Sequence, residues 1–201
     1  MTTLRELVAE ELALPVDPRV TDMARAIAGK YGAASRAVLF YGSCLRQQQL
    51  EGLMLDFYLI VSDYREAYGK SWLAPANRLI PPNVFYFEHE GLVAKFAVLS
   101  EADFHRLNGP ETSSVSVWAR FAQPSRLVWA KDPAARGRAV EAVSRAAPTL
   151  LAAAGVVDGE ELLDWWRRAF ALTYSAELRA ERQGRAGSVV DVDEHRYERF
   201  S

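Results

Sequence analysis

The stretch MLDFYLIVS, residues 54–62, limits the folds open to this chain more than any other. It is an apolar run of strand length, rich in aromatic and branched side chains, and it reads as a buried strand. One carboxylate, Asp56, stands inside it. An ionised carboxylate is costly to bury alone, so the fold must bring a cation, a hydrogen-bond network or a metal to Asp56. Just upstream AVLFY (37–41) is a second short apolar run, and it ends at the turn Gly42–Ser43.

Two further runs, NVFYFE (83–88) and LVAKFAVLS (92–100), read as a hairpin closed around His89, Glu90 and Gly91. The N-terminal part is therefore a small sheet with a few helices. Thr3 and Glu6 form a capping-box pair for a first short helix, which Pro15 and Pro18 break, and a second helical stretch runs from about Thr21 to Lys30. The texture changes near residue 100. Ser100 and Asp103 cap a helix that stops at Asn108–Gly109–Pro110, and the sequence downstream is mainly helical, with DPAARGRA (132–139) a loop or helix start. Asp158 and Glu161 are the expected caps of the longest helix, in which Leu162, Trp166, Phe170 and Tyr174 make one apolar stripe. Two parts follow from this reading, residues 1–100 and 101–201.

With half of its 201 residues hydrophobic, the chain can bury one large core or two small ones. The formal charge of −2 gives no global drive toward nucleic acid, and no nucleic-acid partner is expected. The lone Cys44 forms no internal disulfide, which suits a reducing, cytoplasmic setting. The acidic N-terminus lacks the pattern of a secretory leader, and no window is apolar enough to span a membrane, so a soluble protein is expected. His89, His105 and His195 are scattered without metal-ligand spacing.

The chemistry that a Gly-Ser turn and a strand carboxylate can do together is phosphate handling. Gly42 lets the backbone approach a ligand, the Ser43 hydroxyl can bond phosphate oxygens, and Asp56 can hold Mg²⁺ against them. Equally, such a turn can be structural and Asp56 can pair with a cation. Two residues on, on the same face by alternation, stands Tyr58. Asp63, at the end of the strand, is either a further metal ligand or a turn residue. Lys95 lies in a strand apolar on both faces. It neutralises phosphate charge, pairs with Asp56 or snorkels from an edge, and the first two are compatible, since the same cation can satisfy Asp56 when no metal is bound.

The segments FYGSCLRQ, LMLDFYLIVSD, NVFYFE with GLVAKFAVLS, and LTYSAELR resemble, in order and approximate spacing over residues 38–180, the mitochondrial translocator-maintenance-type phosphatidate cytidylyltransferases and their bacterial relatives. The resemblance implies an α+β fold: a nucleotidyltransferase-like mixed sheet with flanking helices, followed by a mainly helical, winged-helix-like domain. It implies Mg²⁺-dependent transfer of CMP from CTP to phosphatidic acid, giving CDP-diacylglycerol and pyrophosphate at the inner face of a membrane. By position, Gly42 and Ser43 would cradle the triphosphate, Asp56 and Asp63 would hold metal, Lys95 would be the return-strand lysine, and Arg179 would clamp a phosphate. Read by its neighbours alone, Arg179 is a solvated helix residue.

The sequence departs from the pattern at Tyr58 for the second strand aspartate of the nucleotidyltransferase superfamily, and from the family's at Cys44 for a glycine, Ser62 for an acid and Glu177 for an aspartate. It also lacks the family's C-terminal amphipathic helix, which leaves Trp118, Arg120, Phe121, Arg126, Trp129 and Lys131 as a candidate membrane contact or, alternatively, an ordinary partly buried edge. Two alternatives stand beside lipid-directed transfer. One is transfer to a soluble metabolite or protein, and the other is a catalytically silent domain that binds nucleotide or a partner.

Overall fold

The first helix shows how closely local signals are obeyed. In the computed structural model, which describes residues 2–47, 50–69, 72–79, 82–176 and 189–201, α1 (Leu4–Leu12) starts from a complete capping box between Thr3 and Glu6. α2 (Pro18–Tyr31) begins earlier than its apolar periodicity alone indicates. Asp17 caps it by accepting from the Arg19 N–H at 2.9 Å, and Pro18 sits in the first turn, where a missing N–H has no consequence. Its buried residues Val20, Met23, Ala24, Ile27 and Ala28 recur at helical spacing and form one stripe.

Five strands make one sheet: β1 (Ser35–Tyr41), β2 (Met54–Val61), β3 (Asn83–His89), β4 (Leu92–Ser100) and β5 (Ser125–Ala130), in the order β3-β4-β2-β1-β5. β2 pairs parallel with β4, and every other pairing is antiparallel. The expected hairpin is present, closed by the two-residue loop Glu90–Gly91, with α3 (Ser43–Gln47) between β1 and β2. β5 lies within the stretch read as mainly helical. The sheet therefore takes strands from both sides of residue 100. SRLVWA is too short and too weakly alternating to announce itself, and its partner β1 lies some ninety residues upstream in the sequence.

Alternation along β2 gives two apolar faces, and both are covered. On one side Val38, Phe40, Leu55, Phe57, Leu59, Phe96 and Val98 pack under α2, α4 (Tyr64–Tyr68) and α5 (Leu73–Leu79). On the other, Leu39, Tyr58, Ile60, Ala97 and Leu99 share a core with α1, α6 (Glu101–Leu107), α7 (Trp118–Phe121), α8 (Pro133–Ser144), α9 (Ala146–Ala154), α10 (Leu162–Ala176) and α11 (Glu194–Arg199). Ser100 caps α6 as expected, accepting from the Asp103 N–H at 3.1 Å, and α6 ends at Asn108. Asp132 caps α8 in the same way, so 132–139 is a helix start. Asp158 is not a cap. It lies in a turn with Gly159 (φ +78°) before α10 begins, because the left-handed glycine reverses the chain there. In the α10 stripe Trp166 and Phe170 are fully buried while Leu162 is exposed.

The C-terminal helix is tied to the N-terminal one by a buried ion pair. Arg196, 6% exposed, donates from Nε and Nη2 to the Glu11 carboxylate and from Nη1 to the Ala122 carbonyl at 3.0 Å, with its guanidinium 4.3 Å from the Phe200 ring centre. Replacing Arg196 by Ala leaves Glu11 buried without a partner, and we expect a loss of about 3–5 kcal/mol in urea unfolding. The double change Arg196→Met with Glu11→Leu should recover most of it.

Behind α4, the rings of Tyr31, Tyr64, Tyr68, Phe85 and Phe96 form one aromatic cluster. Burial raises all three phenol pKa values, that of Tyr68 to about 12. A phenol held neutral in the fold favours the native state below its unfolded pKa of about 10, and that stability is lost as pH climbs toward the folded value. Urea midpoints followed by circular dichroism should be flat from pH 8 to 9 and fall between about pH 10 and 12. Tyr68→Phe should reduce the slope.

Candidate functional site

The pairing register places Tyr86 beside Lys95, Lys95 beside Asp56, Asp56 beside Tyr41 and Tyr41 beside Ser125. Direct partners share a face, so one polar row crosses all five strands. Two residues further along, the row Val84, Ala97, Tyr58, Leu39 and Leu127 is apolar apart from the tyrosine hydroxyl. The helices cover that second row from β5 to β4, leaving Val84 exposed at the β3 edge, and they leave the first row open toward β3. Tyr86 and Lys95 are about half exposed, Asp56 is half-buried and Ser125 is fully buried.

Asp56 is thus at the margin of the core rather than inside it. Its Oδ1 lies 3.2 Å from Lys95 Nζ, with side-chain exposures of 17% and 51%. The ion pair between Lys95 and Asp56 is formed. Lys95 itself is half exposed, because the helices on this face stop short of its row. Exposure on the lysine side keeps the pair's contribution to stability on the order of 1 kcal/mol.

The turn after β1 is built against the same carboxylate. Gly42 has φ +93°, and a Cβ there would stand 2.8 Å from Asp56 Oδ2. Glycine is needed for both reasons, the backbone angle and the close approach. Ser43 follows, exposed, at the start of the five-residue α3. Cys44 is buried below the turn with its thiol directed at the Met54 carbonyl, 3.4 Å away. Burial pushes that thiol's pKa up, and the Asp56 charge adds to the effect.

Asp63 is not brought to this corner. β2 carries the chain from Asp56 to Val61, roughly 17 Å at ~3.3 Å per residue, and Asp63 lies beyond that end. There it caps α4, accepting from the Glu66 N–H at 2.8 Å, while the Ser62 hydroxyl donates to the Glu66 carboxylate. Arg179 lies outside the described residues, as does Glu177. Of the candidate membrane-contact residues, Trp118 and Phe121 belong to the core, while Trp129 is half-buried against the core of the other face. His105 bonds to Arg145, and His89 stacks on Phe87.

A cleft of about 1330 Å³ opens at the far end of β2 and β4, between Ser62, Asp63, Trp72, Pro75 and Asp103. It is large and Arg65 also lines it, yet its acidic and hydroxyl groups are engaged in holding the fold. Asp63 and Ser100 are helix caps, and the Tyr64 hydroxyl donates to Asp103 at 2.6 Å. We place the candidate chemistry at the Gly42–Asp56–Lys95 corner, where groups converge without a capping duty.

By its own side chains alone, that corner is a poor site for a divalent metal. It offers one carboxylate, already shared with an ammonium, and Tyr58 occupies the next position on the same face. Among the described residues no three acidic, imidazole or thiol groups converge. An ammonium at 3.2 Å repels a dication at the same oxygen.

Tyr41, Tyr86 and Ser125 belong to the row and carry no signal in the sequence, since membership depends on register between distant strands. The contact between Gly42 and Asp56 can be measured. Gly42→Ala should cost about 1–3 kcal/mol, more than Gly52→Ala, where φ is +72° and nothing lies within 4 Å of the added carbon. In an Asp56→Ala background the difference between the two should shrink.

No protein-family model matches the sequence, and no curated protein matches it either.

Proposed function

We propose that this chain is a nucleotidyltransferase-like domain that binds nucleotide phosphates at the Gly42–Asp56–Lys95 corner without transferring a nucleotidyl group. The observation that carries this reading is the placement of Lys95 Nζ 3.2 Å from Asp56 Oδ1, with Tyr58 where a second carboxylate would stand. The ammonium takes the place of a cation next to the carboxylate. Half-exposed on a long stem, it can turn from Asp56 to an incoming phosphate. Gly42 keeps the backbone close at the same point, and Ser43 supplies a hydroxyl.

A second reading keeps the chemistry of the family that the sequence resembles: Mg²⁺-dependent transfer of CMP from CTP to phosphatidic acid, with peripheral attachment to a membrane. Its support is the glycine held against Asp56 Oδ2, an arrangement that leaves one carboxylate oxygen facing the turn. Transfer to a soluble acceptor draws on the same support.

Two measurements on purified protein separate these readings. Titration calorimetry with CTP should show binding that needs no Mg²⁺ and weakens at least about fivefold in Lys95→Met, as expected when a charged contact to phosphate is lost. Pyrophosphate release from CTP and Mg²⁺ should stay at background with and without phosphatidic acid in vesicles. Lipid-dependent release that vanishes in Asp56→Ala would establish the second reading instead, and release without lipid would point to a soluble acceptor.

A further inference from the structure

The sheet ends in two edge strands, and the chain treats them differently. β5 is six residues long, its pairing with β1 is broken by a bulge between Val38 and Leu39, and it carries Arg126 and, just past its end, Lys131. Shortness, bulges and basic side chains are the usual means by which an edge avoids pairing with another chain. β3 has no bulge and no basic side chain, and Pro81 and Pro82 precede it without entering it. It runs seven residues in unbroken register with β4, contains no Lys, Arg or Pro, and turns Val84 (59% exposed) and Tyr86 (54%) to solvent. Among the described residues no strand lies on its outer side.

The hairpin decides which backbone groups face outward. Glu90 and Gly91 both have positive φ, +49° and +78°, as a type I′ turn requires, and the flanking pair is His89 with Leu92. Such a two-residue hairpin closes on a hydrogen-bonded pair, and the pairs then alternate along the strands. His89, Phe87, Phe85 and Asn83 accordingly bond to β4. The N–H and C=O groups of Val84, Tyr86 and Glu88 point away from the sheet.

We infer that β3 is the docking edge for a second copy of this chain, the two β3 strands pairing antiparallel about a two-fold axis at Tyr86. The strand is complementary to itself in that register. Tyr86 meets Tyr86 of the second copy and Val84 meets Glu88, so the outward-facing backbone groups on each side satisfy those on the other. Glu88 is the strand's one carboxylate, and it faces a valine rather than its own mate. On the opposite face Phe85 meets Phe87 of the second copy, an aromatic cross-strand pair. The contact is isologous and closes at two copies, which an edge left open to any partner would not ensure. On the open face the row from Ser125 to Tyr86 continues into its symmetry mate. The inference stands on the β3 edge and is independent of what the Asp56–Lys95 corner binds.

Sedimentation velocity on the full chain from about 1 to about 300 µM should show a monomer–dimer equilibrium, since seven residues of edge make an interface at the small end of the range. Tyr86→Lys sets two ammonium groups face to face and should weaken the dimer at least about tenfold with an unchanged circular dichroism spectrum. Mixing Tyr86→Lys with Tyr86→Glu should restore association. Under mild oxidation Tyr86→Cys should cross-link with itself, whereas Val84→Cys should cross-link only when mixed with Glu88→Cys. A wild-type chain that stays monomeric throughout overturns the inference. So does a dimer indifferent to Tyr86→Lys in which Tyr86→Cys fails to cross-link.

Discussion

A central strand with apolar side chains on both faces is the constraint from which the rest of this structure follows. β2 cannot sit at an edge or under solvent, so it takes β1 on one side and β4 on the other, and helices must cover both faces of the three. The parallel pairing with β4 requires a long crossover, and α4, α5 and β3 are the elements of that crossover. The second face is closed by helices drawn from both ends of the chain, which the buried Arg196–Glu11 pair holds together.

The open end of the same sheet is where covering stops. There a polar row replaces the apolar one, and its exposure grades from buried Ser125 to open Tyr86. Asp56 sits where the two regimes meet. Lys95 reaches it from the neighbouring parallel strand, and Gly42 approaches from the other side, so a carboxylate in an apolar run is satisfied without being fully desolvated. A carboxylate shared with an ammonium is a weaker metal ligand than a free one.

Legibility in the sequence differed sharply from element to element. The capping box at Thr3, the cap at Ser100, the β3–β4 hairpin and the apolar strands β1 and β2 could all be read directly, because each depends on residues within a few positions of one another. β5 could not. A six-residue run with one valine becomes a strand only because β1 offers it an edge. The two faces of Lys95's strand looked alike in sequence, and what separates them is how far the covering helices reach. Asp63 had the composition of a ligand and the position of a cap, and its local helix decided between them.

The sequence by itself determined the local structure and the cast of chemical groups: helices where caps and periodicity agree, strands where alternation or apolar runs persist, and an Asp, a Gly-Ser turn and a Lys as the groups of interest. Tertiary structure alone decided which of those groups meet. Register put Lys95 against Asp56 and Tyr86 against Lys95, while the length of β2 carried Asp63 out of reach. The physical reason is the range of the interactions. Caps, turns and periodicity are set by neighbours in the chain, whereas strand pairing and burial are set by contacts between segments that the sequence leaves far apart.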